Sequence, residues 1–195
     1  MIPEIPPLEP LGVVKCGETD CVNNLHWFRQ KKRRNAQNDR YGACVECGAT
    51  LIDWERVHRQ DLTDVSFKIE MLKLERIRHF YWCELHLPKR IIESARRIGR
   101  AGMYAAVRKR LKESIGKAKI FRDGIQTPQA DSDKANIIHC GQHATATCCR
   151  RCVEEWYSIK LGRPLTDSEL DYLTELVCRY IDTRVPGLDP EPVGE

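Results

Sequence analysis

The sequence has few of the features by which membrane proteins and common enzymes are recognised. No apolar run approaches the ~20 residues that a transmembrane helix needs, so no membrane association is expected. The opening segment MIPEIPPLEP lacks the basic and apolar regions of a signal peptide, which predicts a cytoplasmic protein. The sequence also lacks a phosphate-binding loop, a nucleotide-binding fingerprint, an HExxH motif and a Ser-His-Asp pattern. The common enzyme classes are therefore without support.

Cysteine, in contrast, is abundant, with ten residues in a chain of 195. In a reducing compartment such thiols favour metal sites over disulfides. The first constellation pairs Cys16 with Cys21 and Cys44 with Cys47. Two short-spaced thiolate pairs can close a tetrahedral shell around one Zn²⁺, and a closed Cys₄ shell is structural because it leaves no position for water. Two unrelated thiol pairs and an iron–sulfur cluster are the alternatives.

A second constellation lies in the segment HCGQHATATCCRRC. Cys140 and His143 form one short-spaced pair, and Cys149 and Cys152 form another, which predicts a second zinc site with three cysteines and one histidine. Cys149 and Cys152 are expected where a helix begins, so that both sulfurs face a hairpin at 140–143. Amides at a helix N-terminus also stabilise thiolate.

Two further features leave these ligand sets open. Cys148 is adjacent to a ligand and is predicted to face elsewhere. Cys83 and His86 have the spacing of a half-site. They would complete one of the shells from a distant helix, or be no more than a half-buried thiol and a surface histidine.

The rest of the chain has mainly helical patterning. Strand signals occur only at 49–53 and 136–140. Thr166 and Glu169 form a capping-box pattern at the start of the last helix. The spacing of apolar residues predicts helices over 62–85, 88–99, 102–115, 150–160 and 164–185. The sequence therefore predicts a mainly α protein with small zinc-stabilised elements, α+β character in an N-terminal ribbon, and few short strands.

Five segments are predicted along the chain. They are a flexible leader at 1–11, a zinc-ribbon-like module at 12–58, a basic helical segment at 59–120, a second cysteine-rich domain at 121–185 and a flexible tail at 186–195.

Charge is distributed unevenly, although the net charge is only +4. Residues 86–122 hold twelve Lys or Arg against two acids, whereas residues 153–195 hold ten acids against four bases. This asymmetry indicates a polyanionic partner, an internal electrostatic contact or a solvated basic surface. Near the N-terminus, bases accompany Trp27, Phe28 and Tyr41, which either contact nucleic acid or pack under the zinc site. The residues predicted to bind DNA or RNA are Lys31, Lys32, Arg33, Arg34, Arg108, Lys109 and Arg110.

The strings RDGIQTP and GQHATATCCRRCVEEWYSIKLGRPLTDSELDYLTELV resemble a small bacterial family known as domain of unknown function 4186. The resemblance covers 122–182. Where the family typically has Trp-His, this chain has Trp156 and Tyr157. The resemblance implies a family zinc site that uses His143, two cysteines and that helical histidine. Cys140 then either replaces the lost histidine here or is an unrelated change. The resemblance implies no activity.

Together these features predict a cytoplasmic zinc-binding protein of bacterial or phage type, with two zinc ions, that binds nucleic acid through its basic helical region. One alternative is a small metal- or cysteine-dependent enzyme centred on His143, Cys148, Cys149 and Cys152. In that case Cys148 would be a nucleophile, or an open zinc position would activate water. The other alternative is a zinc-built adaptor for a protein partner.

Overall fold

A computed structural model describes residues 14–28, 42–120, 123 and 127–188. Seven α-helices and no sheet lie in these ranges, which confirms the predicted mainly α fold. None of the helices described there is both long enough and apolar enough to cross a membrane. The helices are α1 (Trp54–His58), α2 (Val65–Lys73), α3 (Arg76–His79), α4 (Lys89–Ser114), α5 (Ile137–Ala144), α6 (Arg150–Tyr157) and α7 (Asp167–Arg184). The predicted leader at 1–11 and most of the predicted tail lie outside the described residues.

The single helix predicted over 62–85 is wrong, because the chain breaks at Glu75. Glu75 has extended backbone angles, with φ −87° and ψ 125°. Its neighbours pair with the N-terminal segment instead: the His26 amide donates to the Leu74 carbonyl at 2.8 Å, and the Arg76 amide donates to the His26 carbonyl at 2.9 Å. A tertiary contact thus replaces helical hydrogen bonds. The resulting pieces are a 3₁₀ turn at Leu62–Asp64, α2, α3 and a π-helical turn at Phe80–Glu84.

The two helices predicted at 88–99 and 102–115 are present as two halves of α4. They meet at Gly99, whose φ of 70° and ψ of 171° are not helical. Glycine adopts this conformation readily because it has no Cβ. The buried face of α4 packs against α7 and includes Ile91, Ala95, Met103, Val107 and Leu111.

The strand signals at 49–53 and 136–140 are wrong. Residues 49–53 have no regular secondary structure, and the second segment begins α5. The side chain of Asn136 caps this helix by accepting from the His139 amide at 3.0 Å. This bond satisfies one of the free N–H groups at the start of a helix, so it favours a helix over a strand.

The last helix, α7, lies at the centre of the packing and contacts both α4 and α5. Its predicted capping box is confirmed, because the Glu169 amide donates to Thr166 and the Glu169 carboxylate accepts from the Thr166 amide. The approach to α5 is close: a Cβ on Gly141 would lie 2.8 Å from Cγ1 of Val177. This leaves room only for glycine at that position without a shift of the neighbouring side chain.

Aromatic rings join the N-terminal segment to the helices. Phe28 is fully buried, and its ring lies 6.5 Å from that of Trp156 in α6. Trp54 lies 5.2 Å from Trp156 and donates through Nε1 to the Gly42 carbonyl at 2.9 Å. Phe28 therefore packs beneath the cysteine-rich segment. This agrees with one of the two alternatives for the aromatic residues, packing under the predicted zinc site. Buried residues from Val14 to Val185 form one hydrophobic core.

Candidate metal centres

The first cluster consists of Cys21, His26, Cys44 and Cys47. One ligand atom from each residue lies within 4.8 Å of the others. The sulfurs of Cys21 and Cys44 are 3.8 Å apart, and the Cys47 sulfur lies 3.5 Å from Nδ1 of His26. Three thiols and one imidazole in this volume match the donor set of a closed structural zinc site.

A tight turn after Cys44 places backbone amides near its sulfur, where they stabilise the thiolate. Gly48 has φ 76°, a conformation that glycine permits, and its amide donates to the Cys44 carbonyl at 2.9 Å. Burial alone would raise the pKa of Cys44, but backbone amides that include that of Cys47 stabilise the thiolate and lower the pKa to about 6. Cys21 differs, because burial and the neighbouring Cys47 and Cys44 thiols raise its pKa to about 11.

The imidazole of His26 is held in the orientation that a metal ligand needs. Its Nε2 lies 3.0 Å from Oδ1 of Asn24, an oxygen that can only accept. Nε2 therefore carries the proton, and Nδ1 presents its lone pair towards the cysteines. Such a hydrogen bond to the second ring nitrogen is usual for metal-binding histidines.

This cluster contains three of the four residues that were predicted to bind the first zinc. Cys21, Cys44 and Cys47 come together as predicted, but Cys16 is not in the group and His26 takes its place. The order of the chain explains the change, because Asp20 and Leu25 pair through their backbones and bring His26 back beside Cys21. The C-x₄-H spacing from Cys21 to His26 was a signal that could have identified it.

The second cluster consists of Cys148, Cys149 and Cys152, all of which are buried. Their sulfurs lie within 4.8 Å of one another, and the Cys148 and Cys152 sulfurs are 3.8 Å apart. Cys149 is the N-cap of α6, and its sulfur accepts from the Cys152 amide at 3.4 Å. The helix start predicted at Cys149 is therefore confirmed, and three thiols converge there.

A buried arginine lies against these thiols. Arg78 is 1% exposed, and its Nη2 is 3.2 Å from the Cys152 sulfur and its Nη1 is 3.8 Å from the Cys148 sulfur. The same side chain forms a buried ion pair with Glu75 at 3.0 Å. Arg78 thus offers positive charge and N–H donors to sulfur, which suits thiolates bound to a metal.

The pKa values of these thiols disfavour a free thiolate. The contact with the Cys148 thiol is the largest influence on Cys149 and, with burial, raises its pKa to about 11. For Cys152 the hydrogen bond with Cys148 lowers the pKa, but the contact with Cys149 and burial outweigh it and raise the value to about 12. The thiols therefore remain protonated near neutral pH unless a cation binds them.

Comparison with known families matches residues 68–182 to a domain of unknown function, DUF4186. The chain belongs to this family. The match confirms the resemblance seen at 122–182 and begins much earlier, so it also includes α3, α4 and Arg78. No solved structure matches the chain. The second cluster lies inside the DUF4186 domain, whereas all four residues of the first cluster precede it.

Cys140 and His143, which were predicted to bind the second zinc, are not members of the second cluster. Cys140 is buried, which raises its pKa to about 12, and the nearby charges that oppose this are Arg184 and Arg90. His143 stacks on Tyr81 with ring centres 5.0 Å apart and directs Nε2 to the Thr127 carbonyl. Both belong to helix α5, so the hairpin predicted at 140–143 is wrong and their side chains follow helical directions.

Cys148, which was predicted to face elsewhere, belongs to the cluster instead. The four-residue separation of Cys148 and Cys152 spans the first turn of α6, and this separation was the available signal. Cys83 and His86 are both exposed and lie in neither group.

The predicted nucleic-acid contacts have different environments. Arg108 pairs with Asp167 at 3.0 Å and with Asp171 at 2.6 Å. Lys109 is exposed, whereas Arg110 is half-buried and donates to Gln142 at 3.3 Å. The internal electrostatic contact suggested by the charge asymmetry thus exists between α4 and α7. Lys31, Lys32, Arg33 and Arg34 lie outside the described residues.

Proposed function

We propose that this protein binds one zinc ion at each cysteine cluster and that the first zinc fastens the N-terminal segment to the DUF4186 domain. The observation that carries this proposal is the convergence of three thiols and the oriented Nδ1 of His26 within 4.8 Å. The backbone of His26 also bonds to Leu74 and Arg76, which lie inside the family match. A metal that fixes His26 therefore acts on the junction between α2 and α3.

The donor sets favour zinc over the harder cations. Magnesium and calcium prefer oxygen ligands, and neither cluster contains a carboxylate among its converging atoms. Thiolates with at most one imidazole are the usual ligands of structural zinc. In the second cluster, Arg78 supports the negative charge that three thiolates would bring.

Metal content of the purified protein tests the proposal. We expect two zinc ions per chain in the wild type, one in Cys47→Ser and one in Cys149→Ser. Cys47 is exposed, so serine there should leave the hydrophobic packing intact. Cys83→Ser is the matched control, because Cys83 is also exposed and lies in neither cluster; it should retain both ions. Wild-type protein without bound zinc would overturn the proposal.

A second function, nucleic-acid binding, is favoured by the exposed face of α4. Arg96, Arg97, Lys109 and Lys112 are exposed, and none of them forms an ion pair within the described ranges. Unpaired cations along one helix suit phosphate contacts, which release counterions and give affinity that falls steeply with salt. Arg108 is engaged with α7, so it contributes less than the sequence indicated.

Gel-shift titrations of short DNA and RNA at two salt concentrations test this second function. Replacement of Arg96, Arg97, Lys109 and Lys112 by Ala should weaken binding across sequences and reduce the salt slope by about one per lost phosphate contact. Arg179→Ala removes an exposed cation from α7 and serves as the control. If metal-loaded wild-type protein at low salt shifts neither DNA nor RNA, this function is wrong.

The geometry does not favour the cysteine-enzyme alternative. The Cys148 sulfur lies against Arg78, Cys149 and Cys152, and His143 directs Nε2 to a backbone carbonyl. Asp123 accepts from the Arg150 amide at the start of α6. Thr145 is buried and donates to the Gly141 carbonyl. These contacts are structural.

A further inference from the structure

The second cluster supplies three thiols, although a closed structural zinc site needs four ligands. Cys140 and His143, the residues expected to complete it, have other surroundings. A three-ligand site would leave an open position for water, as catalytic zinc sites do. The question is therefore what lies beside the cluster on its remaining side.

A small cavity beside the cluster contains one more thiol. Its lining includes Cys152, Arg78 and Glu75 from the DUF4186 domain, and Trp27 and Cys16 from the N-terminal segment. Cys16 and Arg78 line the same cavity, and Arg78 lies 3.8 Å from the Cys148 sulfur and 3.2 Å from the Cys152 sulfur. Cys16 is therefore close to the guanidinium that contacts the cluster.

The backbone around Cys16 supports this placement. Val14 is buried in the core and anchors the segment, and the Glu18 amide bonds to the Lys15 carbonyl, so Cys16 lies in a turn. Gly17 follows with φ 100°, a conformation that lets the chain reverse over the Trp27 ring. Because His26 completes the first cluster, Cys16 is not required there.

We propose that Cys16 is the fourth ligand of the second centre and completes a Cys₄ shell with Cys148, Cys149 and Cys152. This inference rests on the zinc binding proposed above. The exposed thiol of Cys16 lies at the cavity wall and turns inward when the metal binds. The second zinc then also ties the N-terminal segment to the DUF4186 domain, at a point separate from the first zinc.

The test uses the full chain with the first centre disabled by Cys47→Ser, so that one metal remains. Cobalt(II) is added in place of zinc, because its thiolate charge-transfer absorption reports the number of bound sulfurs. Addition of Cys16→Ser should lower this absorption by about a quarter, since one of four thiolates is lost. Zinc affinity measured against a chelator should fall by at least roughly tenfold. Addition of Cys83→Ser instead should change neither quantity.

The outcomes separate this inference from the proposal on which it rests. If Cys47→Ser binds no metal, zinc binding at the second centre is wrong and the inference falls with it. If Cys47→Ser binds one metal and Cys16→Ser changes neither absorption nor affinity, either there or in the wild type with its first zinc in place, zinc binding stands and Cys16 is not a ligand. If Cys16→Ser instead weakens the metal that remains in a Cys149→Ser background, Cys16 belongs to the first centre and the inference is overturned.

Discussion

The two cysteine clusters hold their thiols in different ways. In the cluster of Cys21, His26, Cys44 and Cys47, the Cys47 side chain is exposed and backbone amides of a tight turn lower the pKa of Cys44. In the cluster of Cys148, Cys149 and Cys152, every thiol is buried and Arg78 supplies the positive charge. Backbone amides therefore favour a thiolate in the first cluster, whereas the thiols of the second cluster, which remain protonated without a metal, have a guanidinium beside them.

The two clusters are joined by a short stretch of chain. His26 bonds through its backbone to Leu74 and Arg76, and Glu75 between them pairs with Arg78, which contacts the second cluster. Loss of the structure at one cluster should therefore also destabilise the contacts of the other. Each of the following predictions perturbs one side of this comparison, in order of decreasing effect.

The largest effect is expected from loss of the first zinc. Cys44→Ser should remove that metal and with it a binding free energy on the order of 10 kcal/mol that is coupled to folding. Hydrogen exchange should then accelerate at the amides of His26 and Arg76, whose bonds connect the cluster to α3. Protection at α7 should change much less. Unchanged exchange at His26 and Arg76 in the metal-free variant would show that zinc does not fasten this junction.

The next effect concerns Arg78. Arg78→Met should destabilise the protein by about 3–5 kcal/mol in urea unfolding, because it leaves Glu75 buried without its partner. The double variant with Glu75→Leu should recover much of this loss. Arg76→Met is the control, since the Arg76–Glu84 pair is only part-buried and should cost about 1 kcal/mol or less. Equal losses in the two single variants would contradict a special role for the buried pair.

A smaller effect tests the backbone that leads into the first cluster. Gly42 has φ 82°, and a Cβ there would lie 2.1 Å from Nε1 of Trp54. Gly42→Ala should cost roughly 1–3 kcal/mol in thermal or urea unfolding, through strain and loss of the Trp54 hydrogen bond. Gly162→Ala has a similar φ of 85° but open space around it, so it measures the backbone strain alone. A larger cost at Gly162 than at Gly42 would refute the packing argument.

The smallest effect is expected at the α7 capping box, none of whose residues belongs to either cysteine cluster. Thr166→Ala should cost about 1 kcal/mol and leave zinc content unchanged.

The hydrogen bond from Arg163 is the main cause that lowers the pKa of Glu169 from 4.5 to about 2. Because this pKa is depressed in the folded protein, its stabilisation is complete above about pH 4.5 and is lost as the pH falls towards 2. Glu169→Gln should flatten that acid limb, and an unchanged limb would contradict the assignment.

The sequence predicted the elements that depend on local patterns. The capping box of α7 and the start of α6 at Cys149 follow from neighbouring residues, and both are present. The break at Glu75 was not predictable in this way, because it arises from pairing with His26, which lies about fifty residues earlier in the chain. The strand signal at 136–140 failed because apolar residues in a short run do not distinguish a strand from a buried helix.

The two cysteine clusters show the same division. Thiols that are close in sequence were found, including Cys44 with Cys47 and Cys149 with Cys152. The other residues beside these thiols depend on tertiary packing, which short spacing does not encode. His26 reaches the first cluster through a backbone bridge between Asp20 and Leu25. Arg78 contacts the second cluster from a helix about seventy residues away in sequence, and no motif marked it.

Anomalous diffraction at the zinc edge tests the central claim most directly. Crystals of the zinc-loaded protein should show two anomalous peaks, one among Cys21, His26, Cys44 and Cys47 and one among Cys148, Cys149 and Cys152. Nδ1 of His26 should point at the first peak. A map with no peak at either cluster, or with a single peak elsewhere in the chain, would contradict the account.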